Sequence, residues 1–395
     1  MSGDAPEGRA GEVFAAFLKL GLTSFGGPIA HLSYFRNEFV ERRKWLEEQS
    51  YADLVALCQF LPGPASSQVG IAIGLSRAGY LGALAAWTAF TLPSALVLVL
   101  FAYGLSAAGD ALGSGWLHGL KVAAVAVVAL AILGMARTLT PDRERATLAV
   151  LAAVIALAIP SAWGQIGAIA IGAVIGTAFL RGKPPSEQVR LQVPVGRARG
   201  ILALIVFAVL LVGLPLLAAL TGDQNIRLFD TFYRVGSLVF GGGHVVLPLL
   251  QAEVVPSWVG KDAFLAGYGA AQAVPGPLFT FAAYLGAVIG GWKIAALCLV
   301  AIFLPSFLLV VGILPFWEGL RRRTTTQAAL RGVNAAVVGL LLAAFYNPVW
   351  TTGILTKADF ALATVAFLLL FLWRTPPWLV VLLCAAGGQF LAMTP

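Results

Sequence analysis

The sequence predicts an all-α polytopic membrane protein made of two homologous, inverted-topology halves with broken, re-entrant helices. Three observations predict it: an extreme apolar composition, glycine–proline breaks inside apolar stretches, and a duplication of those breaks along the chain. Of 395 residues, 59% are hydrophobic and 11% charged. Soluble domains run at roughly 45–50% apolar and about 25% charged, so the polar residues here could not cover a surface facing water. A bilayer accommodates the excess in spans of about 20 residues. Soluble enzymes, nucleic-acid-binding proteins and disordered chains are excluded. The formal net charge of +8 then reads as Lys/Arg enrichment of cytoplasmic loops.

Along the chain, apolar stretches fall at 11–35, 51–76, 79–107, 117–138, 146–159 and 162–180. After a basic, proline-rich segment they resume at 199–220, 229–250, 264–289, 291–317, 328–347, 359–373 and 376–393. The segment 181–199 is too polar for lipid and is the one plausible linker. The expected division is a first repeat at 1–183, a basic cytoplasmic linker with a linking helix at 184–222, and a second repeat at 223–395. The first ten residues lack a basic region followed by an apolar one, so no cleaved signal is expected. Cys58, Cys298 and Cys384 lie in apolar stretches, which argues against a disulfide framework. No Cys/His cluster points to a metal, and no cofactor motif is present.

Two stretches are interrupted at their centres. The first carries Phe25-Gly26-Gly27-Pro28 and the second Pro62-Gly63-Pro64. Each interruption leaves about 11–15 residues on either side, too few to cross roughly 30 Å of hydrocarbon at 1.5 Å per residue. Proline cannot continue a helical ladder, and glycine takes backbone angles that other residues avoid. Such a stretch is either a kinked span or a re-entrant hairpin.

The chain repeats itself at a nearly constant offset of 212 to 215. Phe17 to Gly21, with Lys19, matches Phe232 to Gly236, with Arg234. Phe25-Gly26-Gly27 matches Phe240-Gly241-Gly242, and Trp45 matches Trp258. Gln59 with Pro62-Gly63-Pro64 matches Gln272 with Pro275-Gly276-Pro277. Leu92-Pro93-Ser94 matches Leu304-Pro305-Ser306, and Gly119-Leu120-Lys121 matches Gly332-Val333-Asn334. Six matches in order are not the work of chance in an apolar chain.

Loop charges reverse between the copies. Arg42-Arg43-Lys44 in the first stands against Glu253, Lys261 and Asp262 in the second, and Asp110 against Arg321-Arg322-Arg323. Arg137, Arg143 and Arg145 stand against Lys357. Positive charge marks the cytoplasmic side, so the halves have opposite orientation. The economical topology makes the FGG and PGP stretches hairpins in both copies, with an inside amino terminus and an outside carboxyl terminus. Its rival has about 13 full spans and strands Arg42-Arg43-Lys44 on the wrong side.

A hairpin tip offers the start of its second helix, whose first N–H groups lack partners and carry about half a positive charge. Pro28, Pro64 and Pro277 suit a first helical turn. Ser24, Ser66, Ser67, Gln68 and Thr280 add hydroxyl or amide groups near the breaks. Helix starts converging near a repeat axis would form an anion site. Lys19 and Arg234 read as two cations facing one dianion, or as side chains snorkelling to an interface. His31 and His244 follow the FGG breaks and read as structural or as proton-coupling residues. Gln59 and Gln272 read as interhelical partners or ligand donors. Glu38, Asp53, Glu253 and Asp262 fall at segment edges and read as solvated. Tyr268, Tyr284 and the tryptophans read as interfacial belts. No intramembrane carboxylate pair or nucleophile set is visible, so catalysis is not expected.

The Phe-Gly-Gly-Pro motif within Lys19 to Pro28, the Gln59 to Pro64 motif with Gln68, and their copies at 234–243 and 272–277 resemble the chromate ion transporter family. The likeness covers nearly the whole chain. It implies a multi-pass inner-membrane protein of bacteria or archaea that exports chromate, confers chromate resistance, and has a relation to sulfate handling. The chain departs from the first copy at Gly243 and Val245, where Pro28 and Ala30 stand, so the second FGG turn is expected to differ in shape. The leading expectation is a proton-coupled secondary transporter exporting chromate. The alternative is a sulfate or other oxyanion importer or exchanger on the same scaffold. An intramembrane lipid enzyme and a channel are weaker alternatives. Expected partners are chromate, sulfate as a second anion, the lipid bilayer and a second copy in a homodimer, with no nucleic acid.

Overall fold

The computed structural model describes residues 8–108, 115–180, 195–240, 243–321 and 323–393. Every regular element among them is helical. In the first half, α1 (Ala10–Thr23) and α2 (Gly27–Arg36) flank the FGG break, and α2 runs on through a wider turn at Asn37–Arg42. The helix α3 (Glu48–Phe60) precedes the PGP break and α4 (Ala65–Ala108) follows it. A second interruption divides α4, because Ala78 and Gly79 leave helical geometry. The portion before it matches α3 in length, and the portion after it is long enough to cross a bilayer. Then come α5 (Gly115–Leu139), α6 (Arg143–Ala158) and α7 (Ala162–Phe179).

The linking helix α8 (Arg197–Thr221) leads into a second half of the same plan. There α9 (Gln224–Leu238) and α10 (Val246–Val254) flank the second FGG break, and α11 (Lys261–Ala273) leads to the second PGP break. The helix α12 (Phe281–Ile313) is interrupted at Gly290 and Gly291, as α4 is at Ala78 and Gly79. A short α13 (Trp317–Arg321) follows, then α14 (Thr324–Ala344), α15 (Thr351–Gly353), α16 (Lys357–Phe371) and α17 (Pro377–Met393). Among the described residues, five helices are long and apolar enough to cross a membrane.

The FGG and PGP stretches of the first half are hairpins, and one ionic cluster demonstrates it. Arg43 and Arg77 both approach Glu12, at 3.7 and 3.6 Å, and both guanidinium groups lie 5.1 Å over the Trp45 ring. Glu12 opens the first hairpin, Arg43 and Trp45 join the two, and Arg77 ends the second. All the outer ends therefore sit on one face of the membrane. Arg199, at the start of α8, lies against Tyr80 near the same face.

The second half enters from the opposite face. Lys121, in the turns that open α5 after the chain has crossed along α4, bonds Asp262 at 2.7 Å, and Asp262 opens α11. Inversion thus follows from contacts as well as from loop charge. The halves also interlock: α5 packs against α16 and α17, and α14 against α6 and α7. Glycines permit the approach. A Cβ on Gly119 would collide with the Cys384 carbonyl, and one on Gly332 with the Gly172 carbonyl. These are the two glycines that the repeat aligns.

Candidate functional site

The four hairpin tips meet, and each half's PGP tip is bonded to the other half's FGG tip. Gly63 N–H donates to the Val239 carbonyl at 2.6 Å, and Gly276 N–H donates to the Ser24 carbonyl at 2.9 Å. Ser24 and Val239 are repeat-equivalent, as are Gly63 and Gly276, so this is one interaction made twice about the repeat axis. The segment just after the second FGG break also comes close to the first FGG tip: a Cβ on Gly27 would lie 3.9 Å from His244 Nε2, and one on Gly243 would lie 3.5 Å from Pro28. Gly63 and Gly276 have φ of 126° and 95°, a region that disfavours any Cβ.

Ser24, Ser66, Ser67, Gln68 and Thr280 are buried. Gln68 Nε2 donates to the Pro62 carbonyl at 2.7 Å, and Thr280 Oγ1 donates to the Pro277 carbonyl at 2.8 Å. His31 Nδ1 lies 3.3 Å from Ser66 Oγ, and His244 Nδ1 lies 2.9 Å from the Tyr268 hydroxyl. Gly26, with φ of 98°, caps α2 in the left-handed region, and Phe25 lies against Trp378 of α17. Pro62, Pro64, Pro275 and Pro277 shape the PGP tips, and Phe240 packs on the apolar core. Gln272 is half-buried, whereas Gln59 is exposed. Gly241 and Gly242 lie outside the described residues. After them the chain continues as a tight 3-10 turn at Gly243–Val245, whereas α2 begins directly at Gly27.

Lys19 and Arg234 are committed elsewhere. Lys19 bonds Glu38 at 3.3 Å with its side chain 54% exposed, and Arg234 bonds Glu253 at 2.8 Å and Asp230 at 2.7 Å. Glu38 and Glu253 share the repeat offset of Lys19 and Arg234, so the ion pair that braces each FGG hairpin is duplicated too. Glu38 also receives Arg42 and Arg43. Burial would raise its carboxyl, but hydrogen bonds from Arg43, Lys19 and Arg42 outweigh burial and hold it below the usual carboxylate range. One brace therefore sets three cations around a carboxylate, and the other sets two carboxylates around a cation.

These carboxylates correct the sequence expectation. Glu38 and Asp53 are buried and Glu253 is largely covered, not solvated. The missed signal was the spacing: Glu38 and Glu253 stand nineteen residues after the two cations, and Asp230 one helical turn before Arg234. Tyr268 and Tyr284 are also fully buried rather than interfacial, and the Tyr284 hydroxyl donates to the Ala263 carbonyl at 2.8 Å.

The tips hold buried polar atoms with no hydrogen-bond partner among the described residues: Ser24 Oγ, Ser67 Oγ, Gln68 Oε1, Thr91 Oγ1 and Ser306 Oγ. Buried polar atoms are ordinarily paired. Gathered where helix starts converge, they fit a polar guest in a water-poor centre. Ser94 and Ser306 come from the Leu-Pro-Ser repeats of the long helices, to which sequence assigned no role. A Cβ on Gly63 would lie 2.6 Å from Ser306 Oγ, and one on Gly276 would lie 3.0 Å from Ser94 Oγ.

Comparison with known proteins agrees with this architecture. The chromate transporter family model matches residues 11–177 and 226–389, which are two copies of one region. The chain is 28% identical to the chromate transport protein of Pseudomonas aeruginosa, over 95% of this chain and 90% of that one. It is 26% identical to the chromate transport protein of Cupriavidus metallidurans, over 95% and 92% of the two chains. No solved structure matches it. The fold and site define a multi-pass membrane transporter with an inverted repeat. The chain belongs to the chromate transporter family.

Proposed function

We propose that this chain is a secondary active transporter that exports chromate across the cytoplasmic membrane and so confers chromate resistance. Family membership supports the substrate. The observation that carries the reading is the reciprocal pairing of Gly63 with Val239 and Gly276 with Ser24, which brings helix starts from both halves to one point. Aligned helix starts favour an anion without a metal. An anion leaving a negative interior also gains about 2.3 kcal/mol per charge per 100 mV, so the electrical field favours export.

In this reading Ser24, Ser66, Ser67, Gln68, Gln272 and the FGG and PGP backbones contact the oxyanion. Lys19 and Arg234 hold the hairpin arms and bias the local potential. His31 and His244, each hydrogen-bonded at a tip, are the groups suited to couple a proton. The units are the repeats at 1–183 and 223–395, joined by 184–222, and two copies form a homodimer.

Everted inner-membrane vesicles carrying the protein test this directly. Saturable chromate accumulation that collapses in the Gly63→Ala variant is the expected result. Accumulation equal to that of empty vesicles would refute it. The competing reading is a sulfate importer or exchanger. It predicts that sulfate displaces chromate at equal concentration and that right-side-out vesicles take up sulfate.

A further inference from the structure

We propose that the first PGP tip, completed by Ser306 of the other half, binds the oxyanion in its singly protonated form, with the oxyanion's O–H donated to Gln68 Oε1. This rests on the reading of the tips as the oxyanion site and names the species that the site takes.

The amide orientation of Gln68 is set by its neighbour. The Pro62 carbonyl can only accept, so the atom 2.7 Å from it is the Nε2 donor. Gln68 Oε1 must then face away, where it is buried and has no donor among the described residues. An amide oxygen accepts hydrogen bonds and cannot donate, so a fully ionised oxyanion would leave it unpaired and oppose it with like partial charge. An oxyanion bearing one proton satisfies it. Ser67 Oγ and Ser306 Oγ, both buried and without a partner among the described residues, supply donors for the remaining oxygens. Ser306 Oγ and Gln68 Nε2 each lie 2.6 Å from the point a Cβ on Gly63 would occupy, so the two halves present these groups side by side.

The second PGP tip lacks this set. Phe279, Thr280 and Phe281 stand where Ser66, Ser67 and Gln68 stand, and the Thr280 hydroxyl is already bonded within its own turn. The site is therefore one-sided although the scaffold is duplicated.

Charge argues in the same direction. Lys19 and Arg234 are paired with carboxylates, so they are poorly placed to neutralise a second negative charge at the tips. Born desolvation grows with the square of the charge, so a dianion costs about four times as much as a monoanion of equal size. Chromate takes up a proton near neutral pH, whereas sulfate and selenate do so only in strong acid. A site that requires the O–H separates chromate from these ions of the same shape and full charge. A site built to a polar partner rejects an analogue lacking it far more strongly than size alone allows.

The ionisable groups nearest the tips are His31 on α2, 3.3 Å from Ser66 Oγ, the bonded pair His244 and Tyr268, and buried Cys58 in the last turn of α3. A control must separate them from the anion, and selenate provides it. Calorimetric titration of the full chain in lipid nanodiscs, with chromate and with selenate from pH 6 to 9, is the test. Wild-type affinity for total chromate is expected to fall about tenfold per pH unit above the anion's own ionisation and to level off below it, while selenate binds weakly at every pH. Gln68→Met should flatten the chromate profile and narrow the gap to selenate. Ser306→Ala should weaken chromate about tenfold at every pH without changing the slope.

A chromate affinity independent of pH, or an identical slope for selenate, overturns the proposal, the latter by assigning the slope to a side chain. No chromate binding at any pH overturns instead the oxyanion reading on which it rests. If Gln68→Met does not fold, the wild-type comparison of the two anions still decides.

Discussion

Replacing Gly63 by alanine strikes the point where the two halves join. Gly63 has φ of 126°, where an L-residue carries about 1–3 kcal/mol of backbone strain. The new Cβ would lie 2.6 Å from both Gln68 Nε2 and Ser306 Oγ, so the tip must shift. A shift breaks the N–H bond to the Val239 carbonyl, and an unpaired buried donor costs about 1–3 kcal/mol. The total of about 2–6 kcal/mol is a large part of typical stability. In a bilayer, intact spans outside the tip hold the fold, so the damage concentrates in the site. Misplacement of binding groups by about 1 Å reduces rates on the order of a hundredfold. The assay is initial chromate accumulation in everted vesicles, normalised to protein in the membrane. Gly134→Ala is the control, because a Cβ there meets nothing within 4 Å, and it should transport normally. A Gly63→Ala protein of normal abundance transporting at the wild-type rate would refute the reasoning.

Three further outcomes are expected. Glu38→Gln leaves Lys19, Arg42 and Arg43 without their shared carboxylate and should lower the detergent melting temperature more than Glu253→Gln, which leaves Arg234 still bonded to Asp230; equal melts would contradict the difference in the two braces. Gly332→Val drives a side chain into the Gly172 carbonyl and should abolish a monodisperse peak on fluorescence-detected size exclusion, with Gly119→Val doing the same against α17; normal profiles for both would remove the interlock. Since Cys58, Cys298 and Cys384 are buried, a cysteine at exposed Glu47 or Lys261 can be labelled selectively: the first should react with an impermeant thiol reagent only from the cytoplasm, the second only from outside, and reaction from one common side would break the inverted topology.

The architecture was legible because its causes are local. Phe25-Gly26-Gly27-Pro28 and Pro62-Gly63-Pro64 break helices wherever they stand, and loop charge marks sides without reference to packing. Even the second interruption, at Ala78–Gly79 and Gly290–Gly291, coincides with the gaps between the apolar stretches at 51–76 and 79–107 and at 264–289 and 291–317. Less legible were contacts between segments distant in sequence. Nothing near Gly63 announces that its N–H reaches Val239, nor near Ser306 that its hydroxyl lies beside Gly63. The ion pairs lie between these cases. Asp230 stands one turn from Arg234, and the recurrence of Glu38 as Glu253 at the cations' own offset was open to view. Reading carboxylates at segment ends as solvated concealed it. Tyr268 and Tyr284 were misplaced for a related reason: tyrosine suits both an interface and a buried hydrogen bond, and composition does not distinguish the two.

Chromium's own X-ray absorption edge offers the sharpest view of where the anion resides. Crystals of the full chain grown with chromate and measured across that edge should give one strong anomalous peak per protomer, within hydrogen-bond reach of Ser67, Gln68 and Ser306. A peak beside Lys19 or Arg234, or at the loops of either face with the tips empty, would contradict the account.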